Sequence, residues 1–180
     1  MKFEDTLGKV LLDEETIRRR VDELGAQISA DYEKEYPGES VIIITVLKGG
    51  AIFASDLLRR MTVDTRIDFM AVSSYGSSTQ SSGVVKINKD LDTNIQGKNV
   101  LVVEDIIDSG LTLSYLVENL WSRGPQSIKI CTFLDKPARR KVDLKPDYTG
   151  FEIENLFIVG YGLDFDEKYR NLPYVTCLEE

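Results

Sequence analysis

Two runs of apolar residues, each followed by a polar turn and a further apolar segment, place the tightest constraint on the fold. Residues 41–46 read Val-Ile-Ile-Ile-Thr-Val and residues 100–103 read Val-Leu-Val-Val. Strands of a parallel sheet have this composition, because helices cover both of its faces. The sequence therefore predicts an α/β fold with a mainly parallel, twisted sheet flanked by helices.

Further segments alternate between helical and extended patterns along the chain. One apolar stripe recurs at steps of three and four after an acidic start and predicts a helix that ends before Pro37. The residues of this stripe are Ile17, Val21, Leu24 and Ile28. Helices are also predicted over residues 51–61 and 111–123, and strands over residues 66–73, 84–88, 128–134, 156–159 and 174–178, the last at a sheet edge. The chain has no internal repeat or linker-like stretch, so residues 1–180 are predicted to form one domain.

The chain contains no histidine, which excludes several kinds of catalytic site. Ser-His-Asp and Cys-His nucleophile pairs and most catalytic zinc sites all require an imidazole. Any chemistry must therefore rest on carboxylates, lysine, arginine, hydroxyls, backbone N–H groups or a hard metal ion. Cys131 and Cys177 lie far apart in the sequence and are predicted to be core residues rather than a thiol pair.

Charge and hydropathy limit the partners that the chain can bind. With 22 basic and 30 acidic residues the net charge is −8, and a pI near 4.7 argues against a general nucleic-acid binder. The basic triplets at residues 18–20 and 139–141 are interpreted as solvated faces. No apolar run approaches the ~20 residues of a membrane span, and the sequence opens without a secretory signal. We expect a cytoplasmic protein without nucleic-acid or membrane partners.

The segment that follows the second apolar run carries the clearest chemical pattern. Glu104 and Asp105 come at the predicted end of the strand, and Asp108, Ser109 and Thr112 belong to a small polar turn that opens onto a helix. Such a turn presents backbone N–H groups, hydroxyls and a positive helix end to an anion. The acids can accept hydrogen bonds from sugar hydroxyls or hold Mg²⁺. The pattern favours a sugar-phosphate site over an ordinary helix-capping turn.

This segment resembles the phosphoribosyl-diphosphate-binding motif of the type I phosphoribosyltransferases. Residues 41–170 are similar, in several separate motifs, to the hypoxanthine-guanine branch of that family. The resemblance implies that the two adjacent acids bind the ribose hydroxyls, that the turn binds the 5-phosphate, and that Asp108 is a catalytic residue that faces N7 of the purine as general base or charge stabiliser. It also implies a diphosphate loop after the first strand, which in this family often contains a non-proline cis peptide. The implied contacts to phosphoribosyl diphosphate are Leu47, Lys48, Gly49, Glu104, Asp105, Ile106, Ile107, Asp108, Ser109, Gly110, Leu111, Thr112 and Arg170.

The same resemblance implies a purine site and a metal site. Lys136 would donate to the 6-oxo group, because an ammonium has only donors and favours C=O over an amino group. Phe157 would stack on the base, and the backbone carbonyl of Ile158 would reach the purine edge. The implied purine-binding residues are Ile106, Lys136, Phe157, Ile158, Leu163 and Asp164; the implied Mg²⁺ ligands are Glu104, Asp105 and Asp164; and the mobile lid would include Ser74 and Tyr75.

These assignments imply an enzyme of purine salvage. It would transfer the phosphoribosyl group to N9 of hypoxanthine or guanine and release diphosphate, with a small hood formed by the amino-terminal segment and by residues after about 136. A homodimer or homotetramer is the family expectation. Two alternatives stay open: a regulatory relative that senses phosphoribosyl diphosphate, and a sister enzyme that prefers xanthine.

Overall fold

The strands and helices alternate as the sequence predicts. A computed structural model describes residues 7–74 and 85–178. In chain order its elements are β1 (Leu7–Leu12), α1 (Glu14–Glu35), β2 (Val41–Leu47), α2 (Ala51–Leu58), β3 (Thr65–Ser74), β4 (Val85–Lys89), β5 (Asn99–Ile107), α3 (Leu111–Trp121), β6 (Ser127–Asp135), β7 (Tyr148–Glu152), β8 (Ile158–Val159) and β9 (Val175–Leu178).

The main sheet has six strands in the order β4-β3-β2-β5-β6-β7. The central pairs β2–β3, β2–β5, β5–β6 and β6–β7 are all parallel, and only the edge strand β4 is antiparallel to its neighbour. This confirms the predicted α/β class with a mainly parallel sheet. Since the parallel strands all point the same way, their carboxyl ends lie along one edge of the sheet.

Alternate residues of β2 face two separate hydrophobic cores. Ile42 and Ile44 pack into a core shared with α3. Val41 and Ile43 pack into a second core shared with α1 and α2. The continuous apolar run follows from this arrangement, because a strand with helices over both faces has no solvent side for polar residues.

Helix α1 begins and ends where its sequence signals stand. The Asp13 carboxylate accepts a hydrogen bond of 2.7 Å from the backbone N–H of Thr16, which caps the helix. At the other end, the N–H of Tyr36 donates to the carbonyl of Tyr32 just before Pro37. The four residues of the predicted stripe are all buried against the sheet.

Strand β5 is longer than the sequence predicts. The prediction ended it at Val103, but the strand continues to Ile107, so that Glu104 and Asp105 lie within it. Pairing with β6 explains the extension, because the parallel ladder continues until Ile107 lies opposite Asp135. The pairing partner lies more than twenty residues away in sequence, so a local pattern could not reveal it.

A second, antiparallel sheet combines the two ends of the described chain in the order β1-β9-β8. The prediction of an edge strand at 174–178 was wrong in position, since β9 lies between β1 and β8. Strands β1 and β7 were not predicted, because neither has a continuous apolar run. The prediction for Cys177 was also wrong: Cys131 is fully buried, but Cys177 is only half-buried. Within the described residues, no helix is long and apolar enough to cross a membrane.

Aromatic packing fixes β6 to its surroundings. Phe133 is fully buried, and its ring centroid lies 5.3 Å from that of Phe53, 5.7 Å from that of Phe151 and 4.8 Å from that of Tyr161. These partners come from α2, β7 and the segment after β8. A single side chain therefore joins the sheet, a covering helix and the carboxyl-terminal region.

We expect Phe133→Ala to lower the free energy of unfolding by about 3–5 kcal/mol, because it leaves a cavity among these rings. Chemical denaturation monitored by circular dichroism would measure the loss. Trp121→Ala is the control, since Trp121 is 48% exposed and its truncation should cost less than about 1 kcal/mol. Equal losses in the two variants would contradict this role of Phe133.

Candidate active site

The predicted site residues gather at the carboxyl edge of the main sheet. Three loops meet there: Lys48–Gly50 after β2, Asp108–Gly110 after β5, and the residues that follow Asp135 at the end of β6. The sheet order places β2, β5 and β6 side by side, so loops far apart in sequence become neighbours. A ligand at this edge can contact all three.

Glu104 and Asp105 form a desolvated acidic pair near the end of β5. Both are half-buried. Burial, with the neighbouring Asp105 charge, raises the pKa of Glu104 well above its ordinary value. Burial also raises the pKa of Asp105 to about 6, although hydrogen bonds from backbone N–H groups and the charge of Arg170 act in the opposite direction. Two acids held this way favour partners that supply positive charge or hydroxyl donors.

The loop after β5 has the geometry of an anion cup. Gly110 adopts a positive φ of 79°, which glycine tolerates, and it caps α3 directly. The hydroxyl of Ser109 accepts a hydrogen bond of 3.4 Å from the N–H of Leu111. Among the described residues, the N–H groups of Ser109 and Gly110 have no acceptor. They remain available to an anion beside the positive end of the helix.

The loop after β2 packs tightly against the acids. The Leu47–Lys48 peptide bond is cis. A Cβ atom at Gly49 would collide with the Asp105 carboxylate, and a Cβ atom at Gly162 would collide with the carbonyl oxygen of Gly49. Glycine at both positions thus allows the loop to lie between β5 and the segment after β8.

Arg170 organises the acidic side of this loop. Its guanidinium lies 2.9 Å from Asp164 and 3.6 Å from Glu167, and it donates a hydrogen bond of 2.8 Å to the carbonyl of Gly162. Lys48 forms a 2.9 Å ion pair with Glu167, which lowers the pKa of that carboxyl. Sequence reasoning did not identify Glu167, because an acid in a polar turn carries no distinctive signal.

Asp108 faces a cation but keeps its hydrogen-bonding capacity. Its Oδ1 lies 2.6 Å from Nε of Arg139. The contact lacks hydrogen-bond geometry, and within the described part of the chain Oδ1 has no hydrogen-bond donor. The ion pair with Arg139 therefore holds Oδ1, while the Asp108 side chain as a whole is 44% exposed and can be reached by a ligand.

The residues predicted to bind a purine lie on two sides of the same region. Lys136 is buried and donates a 2.7 Å hydrogen bond to the carbonyl of Leu156, and burial lowers the pKa of its ammonium. Phe157 is 57% exposed, and its ring meets that of Phe165 edge to face at 5.5 Å. Phe165 is a residue that sequence reasoning missed.

The remaining predicted residues have clear positions in the fold. Ile158 is buried in β8 opposite Cys177, and Leu163 is buried in the core shared with α1 and α2. Ile106 pairs with Leu134 within the main sheet. Ile107 ends β5, and Leu111 and Thr112 open α3. Ser74 ends β3, whereas Tyr75 lies outside the described residues.

The basic triplet at residues 139–141 was wrongly interpreted as a solvated face. The side chain of Arg140 is only 13% exposed and forms an ion pair with Asp135 at the end of β6. Arg139 contacts Asp108. In the other triplet, Arg20 donates to the carbonyls of Gly150 and Thr149 in β7. A run of basic residues in the sequence does not indicate which of its members will turn inward to contact distant residues.

The acids suit Mg²⁺ only with help from a ligand. Within residues 7–74 and 85–178, no three acidic, histidine or cysteine side chains lie close enough together to hold an ion by themselves. Mg²⁺ usually binds one or two carboxylates together with water and substrate phosphates. The desolvated pair Glu104 and Asp105 offers such carboxylates, and positive charge would relieve their mutual repulsion.

Comparisons with known proteins agree with this geometry. A family model described as a phosphoribosyl transferase domain matches residues 9–166. The hypoxanthine-guanine phosphoribosyltransferase of Bacillus subtilis (strain 168) is 54% identical over 173 residues, which cover 96% of this chain and 94% of that relative. The corresponding protein of Mycobacterium tuberculosis (strain ATCC 25618 / H37Rv) is 54% identical over 175 residues, covering 96% of this chain and 87% of that relative.

Solved structures give the same result. A hypoxanthine-guanine phosphoribosyltransferase from Bacillus anthracis superimposes with a TM-score of 0.90 at 50% identity, covering 96% of this chain and 99% of that chain. A hypoxanthine phosphoribosyltransferase from Staphylococcus aureus has a TM-score of 0.93 at 47% identity, covering 97% of this chain and 93% of that chain. The chain described here belongs to the phosphoribosyltransferase family and has its type I fold.

Proposed function

We propose that the protein transfers the phosphoribosyl group of 5-phospho-α-D-ribose 1-diphosphate to N9 of hypoxanthine or guanine. The products are IMP or GMP and diphosphate, so the reaction belongs to purine salvage. The observation that carries the proposal is the meeting of an anion cup, an acidic pair and a buried lysine at one sheet edge. The names of relatives at 54% identity support the same reaction.

The sugar phosphate would lie along the end of β5. The N–H groups of Ser109 and Gly110 would bind the 5-phosphate, since both lack acceptors among the described residues. Glu104 and Asp105 would accept hydrogen bonds from the ribose hydroxyls. Lys48, Gly49 and Arg170 would contact the leaving diphosphate. When bound, Mg²⁺ would be held by the carboxylates together with substrate oxygens and would neutralise charge on the leaving group.

The purine would lie between the loop after β5 and the segment 156–158. Lys136 would donate to the 6-oxo group, and the buried ammonium would find no acceptor on the amino group of adenine. Phe157 would stack on the base, with Phe165 supporting its ring from the side. Asp108 would accept the N7 proton as the bond at N9 forms, since its carboxylate lies in the loop after β5 and its side chain is 44% exposed.

Three further features belong to the proposal. The sheet β1-β9-β8 would act as the hood of the single domain, because its strand β8 directly follows Phe157. The lid would extend from Ser74, at the end of β3. The protein would work in the cytoplasm as a homodimer or homotetramer, as expected for this family.

Incubation with phosphoribosyl diphosphate, Mg²⁺ and one base at a time tests the proposal. We expect nucleotide from hypoxanthine and guanine, none from adenine, and loss of activity when EDTA removes the metal. Chromatography of the products would measure each reaction. Faster conversion of xanthine than of hypoxanthine and guanine would indicate the sister enzyme that prefers xanthine. Absence of IMP and GMP would overturn the proposal. If the protein binds phosphoribosyl diphosphate but converts none of the bases, it is the regulatory relative instead.

Asp108→Asn should lower kcat by about 10²–10⁴-fold, because the amide cannot take up the N7 proton. The KM for phosphoribosyl diphosphate should change much less. Steady-state kinetics with hypoxanthine would measure both constants. Asp143→Asn is the control, since Asp143 is exposed and its substitution should leave kcat unchanged. A normal kcat in Asp108→Asn would remove the general-base role.

Asp105→Asn should make the protein more stable at pH 7.5 while reducing activity. The folded-state pKa of Asp105 is raised to about 6 from an ordinary 3.8, so the folded protein holds this proton more tightly than the unfolded chain. Ionisation of Asp105 therefore lowers the free energy of unfolding as the pH rises from about 3.8 to about 6, and this loss is complete once the pH is well above 6. The uncharged amide avoids it, and we expect a gain of about 1–2 kcal/mol, less than the full shift because the group is half-buried.

Urea denaturation at pH 7.5 and at pH 4 would check this expectation. The gain should largely disappear at pH 4, where Asp105 is protonated in the folded protein. The exposed Asp143→Asn variant should show no gain at either pH. A destabilised Asp105→Asn variant at pH 7.5 would contradict the proposed desolvation of this carboxylate.

A further inference from the structure

The segment that follows β6 runs beside the anion cup. It donates hydrogen bonds to three successive carbonyls, at the end of β5 and in the loop that follows. The N–H of Lys136 donates to the carbonyl of Ile107 at 3.0 Å, and the N–H of Lys141 donates to the carbonyl of Ser109 at 2.9 Å. Between them, Nη1 of Arg140 donates to the carbonyl of Asp108 at 3.0 Å. The cup is therefore held from one side by backbone and side chain together.

These bonds fix the orientation of two peptide planes. In a trans peptide the C=O of one residue and the N–H of the next point in opposite directions. The carbonyl of Asp108 points toward Arg140, so the N–H of Ser109 points away from it. The carbonyl of Ser109 points toward Lys141, so the N–H of Gly110 likewise points away. Both free N–H groups thus face the side opposite the 136–141 segment.

Arg140 is itself held in place. Its Nη2 pairs with the carboxylate of Asp135, and the exposed fractions of the two side chains are only 13% and 8%. The aliphatic part of Arg140 packs over Gly110, because a Cβ atom built there would lie 3.0 Å from its Cδ. A planar guanidinium can hold the carboxylate and the carbonyl at the same time, whereas an ammonium is a point donor that cannot reproduce this fork.

We propose that Arg140, anchored by Asp135, is a positioning residue for the 5-phosphate cup. It orients the Asp108–Ser109 peptide so that consecutive N–H groups face the phosphate. It does not touch the substrate. The inference rests on the proposed function, because it assumes that the cup binds the 5-phosphate of phosphoribosyl diphosphate.

Arg140→Lys tests the proposal with the charge retained. We expect the KM for phosphoribosyl diphosphate to rise about tenfold, the factor that corresponds to about 1.4 kcal/mol, while the KM for hypoxanthine changes less than about twofold. Arg20→Lys is the matched control, because Arg20 also donates to backbone carbonyls, but in β7 and away from the cup. It should leave both KM values unchanged.

Calorimetric titration with ribose 5-phosphate gives a second readout that needs no turnover. Weaker binding in Arg140→Lys than in Arg20→Lys, at similar thermal stability, supports the positioning role. Asp135→Asn should weaken binding of ribose 5-phosphate in the same way, since it keeps the Arg140 side chain but removes the carboxylate that orients it. The proposal is overturned if Arg140→Lys and Asp135→Asn both bind ribose 5-phosphate with unchanged affinity, or if the KM values for phosphoribosyl diphosphate and hypoxanthine change equally. Failure of both variants to fold also overturns it.

The wild-type assay distinguishes a failure of the proposed function from a failure of the positioning role of Arg140. If the wild-type protein forms no IMP or GMP, the proposed function fails, whatever Arg140 does. If it forms them and the KM for phosphoribosyl diphosphate is normal in Arg140→Lys, only the positioning role fails.

Discussion

The parallel pairing of β5 with β6 is the interaction on which the rest of the site depends. The ladder continues beyond the hydrophobic core until Ile107 lies opposite Asp135. Because both strands end together, the loop that starts at Asp108 and the segment that starts at Lys136 leave the sheet side by side. The strand pairing thereby places both predicted halves of the ligand site, for the sugar phosphate and for the base, next to one another, and the ion pair between Asp108 and Arg139 joins the two loops.

Electrostatic compensation is the second principle of the site. The acidic pair at the end of β5 is desolvated, which raises the pKa of both carboxyls; in the proposed function these carboxylates would bind the ribose hydroxyls and Mg²⁺. Around it, Arg170 and Lys48 are already paired with acids of the carboxyl-terminal segment. In the proposed function, backbone N–H groups and a few cations would meet the phosphates locally, so an acidic protein could bind an anionic substrate although its net charge is −8.

Much of this architecture could be predicted from local patterns. The apolar runs at 41–46 and 100–103 predicted central strands, and the stripe that starts at Ile17 predicted α1, because these periodicities follow directly from burial. The strands β1 and β7 escaped prediction, since their short sequences match no such period. The partners of the site, such as Arg140 with Asp135 or Phe165 with Phe157, escaped for another reason: each contact depends on which segments the fold makes adjacent.

Residue types and their order along the chain are enough to predict the kind of chemistry. The absence of histidine excludes imidazole chemistry, and the two acids after an apolar run with the small turn before a helix predict a phosphate and hydroxyl site through residue types and spacings alone. How the residues of that site are held in place follows from the fold. A side chain's hydrogen-bond partners and its burial depend on which residues are close in space. The inward orientation of Arg140 and the close packing of Gly49 on Asp105 therefore follow from the pairing of strands that are distant in sequence.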